Sequence, residues 1–159
     1  MKYLTVVRHA EAEPFGWNGS DFERNLTKKG INDAERTVRK ALHSVSVPQI
    51  LAASPAHRAL QTARIFASAF RISPDAVLTD MLIYTGSASD LLQVIAHWDD
   101  ALESAVLVGH NPAVAELVMR LYPQFAGAFP TCAACSLAFR AERWRELVET
   151  PPVLRFQSP

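Results

Sequence analysis

The chain has 159 residues, 49% of them apolar and 20% charged, and its 16 Lys+Arg balance 16 Asp+Glu. This balance excludes a general electrostatic grip on nucleic acid or on a membrane surface, so any anion site must be a local concentration of Arg and His. The length fits a single domain over residues 1–159 with a real core. No run approaches the ~18 apolar residues of a membrane span, and the first apolar run is too short for a secretory signal, so a cytoplasmic protein is expected.

In chain order, residues 2–7 read as a buried strand (Tyr3, Leu4, Val6, Val7) that ends abruptly on Arg8-His9. Residues 10–25 carry Pro14, Gly16, Asn18, Gly19, Ser20 and Asp21, a loop composition directly after the Arg-His pair. Thr27 caps a predicted helix to about His43, with Ile31, Ala34, Val38, Ala41 and Leu42 as its stripe. Residues 49–53 form a second short strand. Ser54 as N-cap and Pro55 at the first helical position open a helix to about Phe70, which sets Arg58 in the first turn.

Ala76–Thr79 reads as a short strand, and residues 88–98 form a third helix after Gly86-Ser87. The run Ala105-Val106-Leu107-Val108 predicts a strand buried on both faces, stopping at Gly109-His110. Asn111 as N-cap and Pro112 open a fourth helix. Residues 122–131 read as a loop, Ala133–Phe139 and Arg143–Val148 as two further strands, and the Pro151-Pro152 tail as irregular.

Alternating strands and helices predict an α/β fold, a three-layer sandwich with a mostly parallel central sheet and helices on both faces. Ligands of such folds bind outside the carboxyl ends of the strands, and here those ends carry Arg8-His9, Ser54 to Arg58, and Gly109-His110. Helix N-termini and forked guanidinium groups suit a phosphate dianion without a metal or other cofactor. A neighbouring Arg lowers a histidine pKa and so preserves the lone pair that attacks phosphorus. The second histidine can donate to the oxygens where charge develops.

These segments resemble the histidine phosphatase superfamily. Arg8-His9-Ala10 resembles its Arg-His-Gly signature, with Ala for Gly. Ser54-Pro55-Ala56-His57-Arg58-Ala59-Leu60-Gln61-Thr62 matches its Ser-Pro-x-x-Arg-Ala-x-Gln-Thr segment. Gly109-His110-Asn111-Pro112 matches its second histidine motif, and Arg24-Asn25-Leu26-Thr27 with Gly30 resembles the opening of its first helix.

Short insertions make the chain most similar to the SixA-type phosphohistidine phosphatases. The resemblance implies a phosphoglycerate-mutase-like fold and His9 as nucleophile. It also implies Arg8, Arg58 and Asn111 as phosphate-binding groups, and His110 completing the pocket. The implied substrate is a phosphorylated protein, such as a histidine-containing phosphotransfer domain, or a small phosphorylated molecule. A small-molecule phosphomonoesterase, a phosphoglycerate-mutase-like enzyme and a phosphate-binding module without turnover are the alternatives.

Many relatives carry a catalytic Glu where Asp80-Met81-Leu82 stands, and Met81 aligns best with it, leaving Asp80 as a weak substitute. An alkoxide leaving group, with a conjugate acid near ~15.7, needs a strong proton donor. An imidazole, whose cation has a pKa of about 6.5, needs much less. Arg24 either borders the pocket or is a solvated charge, and Glu11 and Glu13 either orient the loop or are solvated. His43, His57 and His97 receive no role. Cys132 and Cys135 read as two semi-buried thiols, because no second ligand pair exists for zinc. If the segment is extended, residues three apart are also too distant for a disulfide. Trp17, Trp98 and Trp144 read as core or rim.

Overall fold

The computed structural model describes residues 1–14, 16 and 19–159. Its centre is β1 (Lys2–Arg8), a strand with no β-breaker and with Leu4, Val6 and Val7 fully buried. Around it lie β2 (Ile50–Ala53), β3 (Leu78–Thr79), β4 (Ser104–Gly109), β5 (Ala134–Phe139) and β6 (Val153–Ser158), in the order β3-β2-β4-β1-β5-β6. The pairs β1–β4, β2–β4 and β2–β3 are parallel, whereas β5 runs antiparallel to both β1 and β6.

Alternation along the central strands sends side chains into two separate cores, which is why their sequences are apolar throughout. Leu4, Val6, Ala105 and Leu107 pack with the helices α3 (Met81–Thr85), α4 (Ala88–Ala96) and α5 (Ala113–Leu121). Val7, Val106, Val108, Leu51 and Ala53 pack on the opposite side with Val38 of α1 (Lys28–Ala41) and Phe66 of α2 (His57–Ala69). Each fully buried Leu or Phe contributes roughly 1.5–3 kcal/mol of transfer free energy, so both faces are held by the hydrophobic effect.

Thr27 caps α1 as predicted, its side chain accepting from the Gly30 N–H at 3.0 Å. The predicted stripe of that helix is narrower than expected, because Ile31 and Leu42 are 40% and 37% exposed. Gly30 makes the close contact instead: a Cβ there would collide with the Glu11 carbonyl oxygen. The predicted Ser54 cap is displaced, since α2 begins only at His57 with Ala56 at its N-cap. Likewise Pro112, not Asn111, occupies the N-cap of α5.

The C-terminal expectations need the largest correction. Trp144–Glu149 is a 3-10 helix, not a strand: Trp144 and Leu147, three residues apart, are its buried pair. Beyond Pro151-Pro152 the tail forms β6 on the sheet edge. Val153, Leu154 and Arg155 are exposed there, so burial leaves no alternating pattern to read. The short helix α3 was also hidden, its five residues being too few to show a period. Trp98 and Trp144 meet edge to face with ring centroids 5.2 Å apart, while Trp17 lies outside the described residues.

Candidate active site

Strand register assembles the site. Arg8 pairs with Gly109 across β1 and β4, so the next residue on each chain, His9 and His110, emerges side by side. The His9 N–H donates to the Gly109 carbonyl at 3.0 Å, and the two ring centroids are 5.1 Å apart. On the other flank β2 pairs Ala53 with Val108, and the Ser54 N–H continues the ladder to the Val108 carbonyl. Ser54 therefore arrives beside His110, its Oγ 2.7 Å from Nε2. Gly109 is a point of close approach: a Cβ there would lie 2.9 Å from Val114 Cγ1 and 3.2 Å from Ile83 Cγ2.

The surroundings of His9 settle its tautomer. Nδ1 lies 2.7 Å from the Ala10 carbonyl oxygen, which can only accept, so Nδ1 carries the proton and Nε2 keeps the lone pair. Burial pushes the imidazole down to about 4; the Ala10 carbonyl opposes this, while the charges of Arg58, Arg8 and Arg24 reinforce it. Ala10 accepts its place without strain, since among the described non-glycine residues only Arg71 and Cys132 have positive φ. Its N–H donates to Thr62 Oγ1 at 3.0 Å.

His110 is also held neutral. Burial lowers it to about 3, helped by His9 and Arg58 and opposed by Asp21. Ser54 Oγ already accepts from the Ala56 N–H, so its own hydrogen is free to bond His110 Nε2. That arrangement leaves the His110 proton on Nδ1, which is buried and has no partner. Nε of Arg8 and Nε of Arg58 are likewise buried without partners. Orphaned donors at this density fit an anion with several acceptor oxygens.

Three of the terminal guanidinium nitrogens bond within the protein: Arg8 Nη1 and both Nη atoms of Arg58. Arg8 Nη1 reaches the Phe129 carbonyl at 3.3 Å, and the same carbonyl accepts from Asn111 Nδ2 at 2.8 Å. Asn111 thus braces the loop that contacts Arg8. Arg58, 5% exposed, donates from Nη1 to the Asp21 carbonyl at 2.8 Å and from Nη2 to Asp21 Oδ2 at 3.1 Å.

Asp21, a loop residue by sequence composition, is the hub of the rim. It lies in the 3-10 turn Asp21–Glu23 and also accepts from Arg24 (Nε 3.0 Å, Nη2 2.7 Å) and from the Tyr84 hydroxyl (2.9 Å). Burial alone would raise its pKa, but the bonds from Arg24 and Tyr84 and the Arg58 charge outweigh burial and hold it at about 2. The only sequence hint was its position three residues before Arg24. Tyr84, the polar group that α3 brings to the site, sets its ring against those of His110 and Phe22, each with centroids 5.4 Å away.

Arg24 borders the site through Asp21, and Glu11 and Glu13 orient the loop by accepting from Thr27 Oγ1 and the Asn25 N–H. Gln61 ties the same segment down, accepting from the Leu26 N–H and donating to Asn25 Oδ1. His57 lies 3.3 Å from Asn25 Oδ1 and packs on Phe22. Asp80 caps α3 by accepting from the Leu82 N–H, and Met81 is 55% exposed. Cys132 and Cys135 are buried free thiols, although Cys132 has φ 64 and so departs from the extended geometry expected there. Among the described residues no group of three or more His, Cys, Asp and Glu is placed to hold a metal, and no helix is long and apolar enough to cross a membrane.

The model of the histidine phosphatase superfamily (branch 1) matches residues 4–83. The chain belongs to this superfamily. It is therefore a hydrolase of phosphorylated substrates, with the α/β fold expected from its sequence. No curated protein matches it.

Among solved structures, an assigned phosphohistidine phosphatase SixA from Agrobacterium tumefaciens is 22% identical, with a TM-score of 0.82 over 99% of this chain and 97% of that one. The protein histidine phosphatase SixA complexed with tungstate is 20% identical, with a TM-score of 0.78 over 98% and 95%. A mycobacterial glucosyl-3-phosphoglycerate phosphatase is 14% identical, with a TM-score of 0.66 over 97% of each chain. These likenesses concern the fold.

Proposed function

We propose that this member of the superfamily is a metal-independent phosphatase that works through a phosphohistidine on His9 and acts on protein phosphohistidine. The observation that carries the reading is the lone pair of His9 Nε2 beside orphaned donors on Arg8, Arg58 and His110. Arg8 and Arg58 grip the phosphoryl oxygens. His9 Nε2 attacks phosphorus while the bond to the leaving group breaks, and His110 Nδ1–H donates to an oxygen as charge gathers there. Water then attacks the phosphohistidine, releasing phosphate and restoring neutral His9. Asn111 supports Arg8 through their shared Phe129 carbonyl.

The leaving group supports the P–N reading. Asp80 is committed to the cap of α3, Met81 has no acidic proton, and Asp21 is held ionised. No carboxylic acid among these three is poised for an alkoxide, whereas imidazole, with a cation pKa of about 6.5, takes its proton readily. The likeness in fold to SixA structures points the same way. The test is to incubate the protein with a phosphohistidine-bearing phosphotransfer domain and look for an acid-labile phosphoryl group on His9. The label should vanish in His9→Ala. Tight binding of phosphate with no turnover of any phospho-donor would sink the reading.

A further inference from the structure

The phosphoryl group reacts at His9, so the rest of a substrate must lie against the rim. On one side of the rim, every nitrogen of the Arg24 guanidinium is engaged: Nε and Nη2 by Asp21, Nη1 by the Glu13 carbonyl. Arg24 is a rim cation that could receive a second anionic group, and Asp21 has already taken it. The same carboxylate draws on Arg58 through Nη2. The turn that carries it adds a further acid, the exposed Glu23.

On the other side a cleft of about 260 Å³ opens between α3 and the start of α5. Tyr84, Thr85, Ser87, His110, Asn111 and Glu116 contribute to its wall, which therefore begins one ring away from His9. Among the described residues that line it, Glu116 is the charged one. Arg120, a turn further along α5, donates to Ser89 Oγ at 2.7 Å.

From these two walls we propose that the leaving-group side of the site accepts an uncharged or cationic group and rejects a second anion, with Asp21 and Glu116 as the specificity determinants. The inference rests on the phosphatase reading and narrows its substrate class. The phosphoryl group is the single anion accommodated, as in a phosphohistidine or a phosphorylated hydroxyl with a neutral or amine-bearing remainder. A phosphorylated sugar acid, which must place a carboxylate beyond the phosphate, is disfavoured by like-charge juxtaposition.

O-phosphoethanolamine and 3-phosphopropionate test this, since both are short alkyl phosphates, one ending in an amine and the other in a carboxylate. Their dissociation constants would be measured by calorimetry on His9→Ala protein, which cannot be phosphorylated. The amine should bind about tenfold more tightly. Adding Glu116→Lys, a change on an exposed helix surface, should cut that ratio by about tenfold or invert it, and Asp21→Asn should narrow it in the same direction. Equal affinities, or variants that shift both ligands by one factor, would overturn the inference. Failure of the phosphatase reading would show separately, as unlabelled His9 and no turnover in the wild type, and the binding ratio would still decide the charge selection.

Discussion

Arg8, His9, Ser54 and His110 stand at the ends of parallel strands, whereas Asp21, Phe22 and Tyr84 stand on a 3-10 turn and a five-residue helix above them. The two regions are built differently. Floor residues are placed by a continuous hydrogen-bond ladder between strands buried on both faces, and a slip of one residue would turn their side chains to the wrong side. Rim residues are placed by one another, through a carboxylate that collects donors from Arg24, Arg58 and Tyr84. A ladder gives precision at the reacting atoms. An ion network at the rim, whose shared carboxylate Asp21 is 34% exposed, can yield when a substrate enters, because that charge remains partly solvated.

The contrast predicts that floor substitutions damage the chemistry and rim substitutions tune it. His9→Ala should lower kcat by at least ~10³-fold, since no other group carries the nucleophilic lone pair. Steady-state assays with 4-nitrophenyl phosphate check this, and residual activity within tenfold of wild type would break the comparison. Arg58→Ala should cost ~10²-fold in kcat/KM, and Arg58→Lys should recover little, because a point charge does not reproduce the fork. Ser54→Ala removes the partner of His110 Nε2 and should lower kcat by about tenfold with a smaller change in KM. Tyr84→Phe keeps the ring on His110 and deletes only the bond to Asp21, so a loss of about two- to fivefold is expected. If Tyr84→Phe proved as harmful as Ser54→Ala, the rim would have to be counted with the catalytic floor.

The smallest effect concerns pH. His9 and His110 are depressed to about 4 and about 3, so they take up protons only as the pH falls through those values. With substrate ionisation corrected for, kcat/KM of the free enzyme should stay flat from about pH 8 down to about pH 5. An acid limb near 6.5, the ordinary histidine value, would mean that burial and the surrounding arginines fail to hold His9 neutral.

The floor was legible in the sequence. Apolar runs ending in Arg-His and Gly-His, together with a Ser-Pro-x-x-Arg segment, place their polar residues at strand ends wherever strands are parallel and buried. The rim was not, because Asp21 sits in a turn-rich loop with the composition of any solvated segment, and Tyr84 sits in a helix too short to show periodicity. Gln61 and Thr62 show an intermediate case. They belong to a sequence motif, but their work of tying down Leu26 and Ala10 appears only when the helix is docked on the strand.

By itself, then, the sequence determined the alternating α/β order, the two-faced core and the polar groups at the strand ends, because these follow from local periodicity and capping chemistry. Tertiary structure alone decided that Ser54 reaches His110 as well as the start of the helix it precedes, that Asp21 claims Arg24 and Arg58, and that the C-terminal tail closes the sheet as β6. Each of these is a contact between segments distant in the chain, set by strand register and helix docking. Neither leaves a trace in the residues immediately around it.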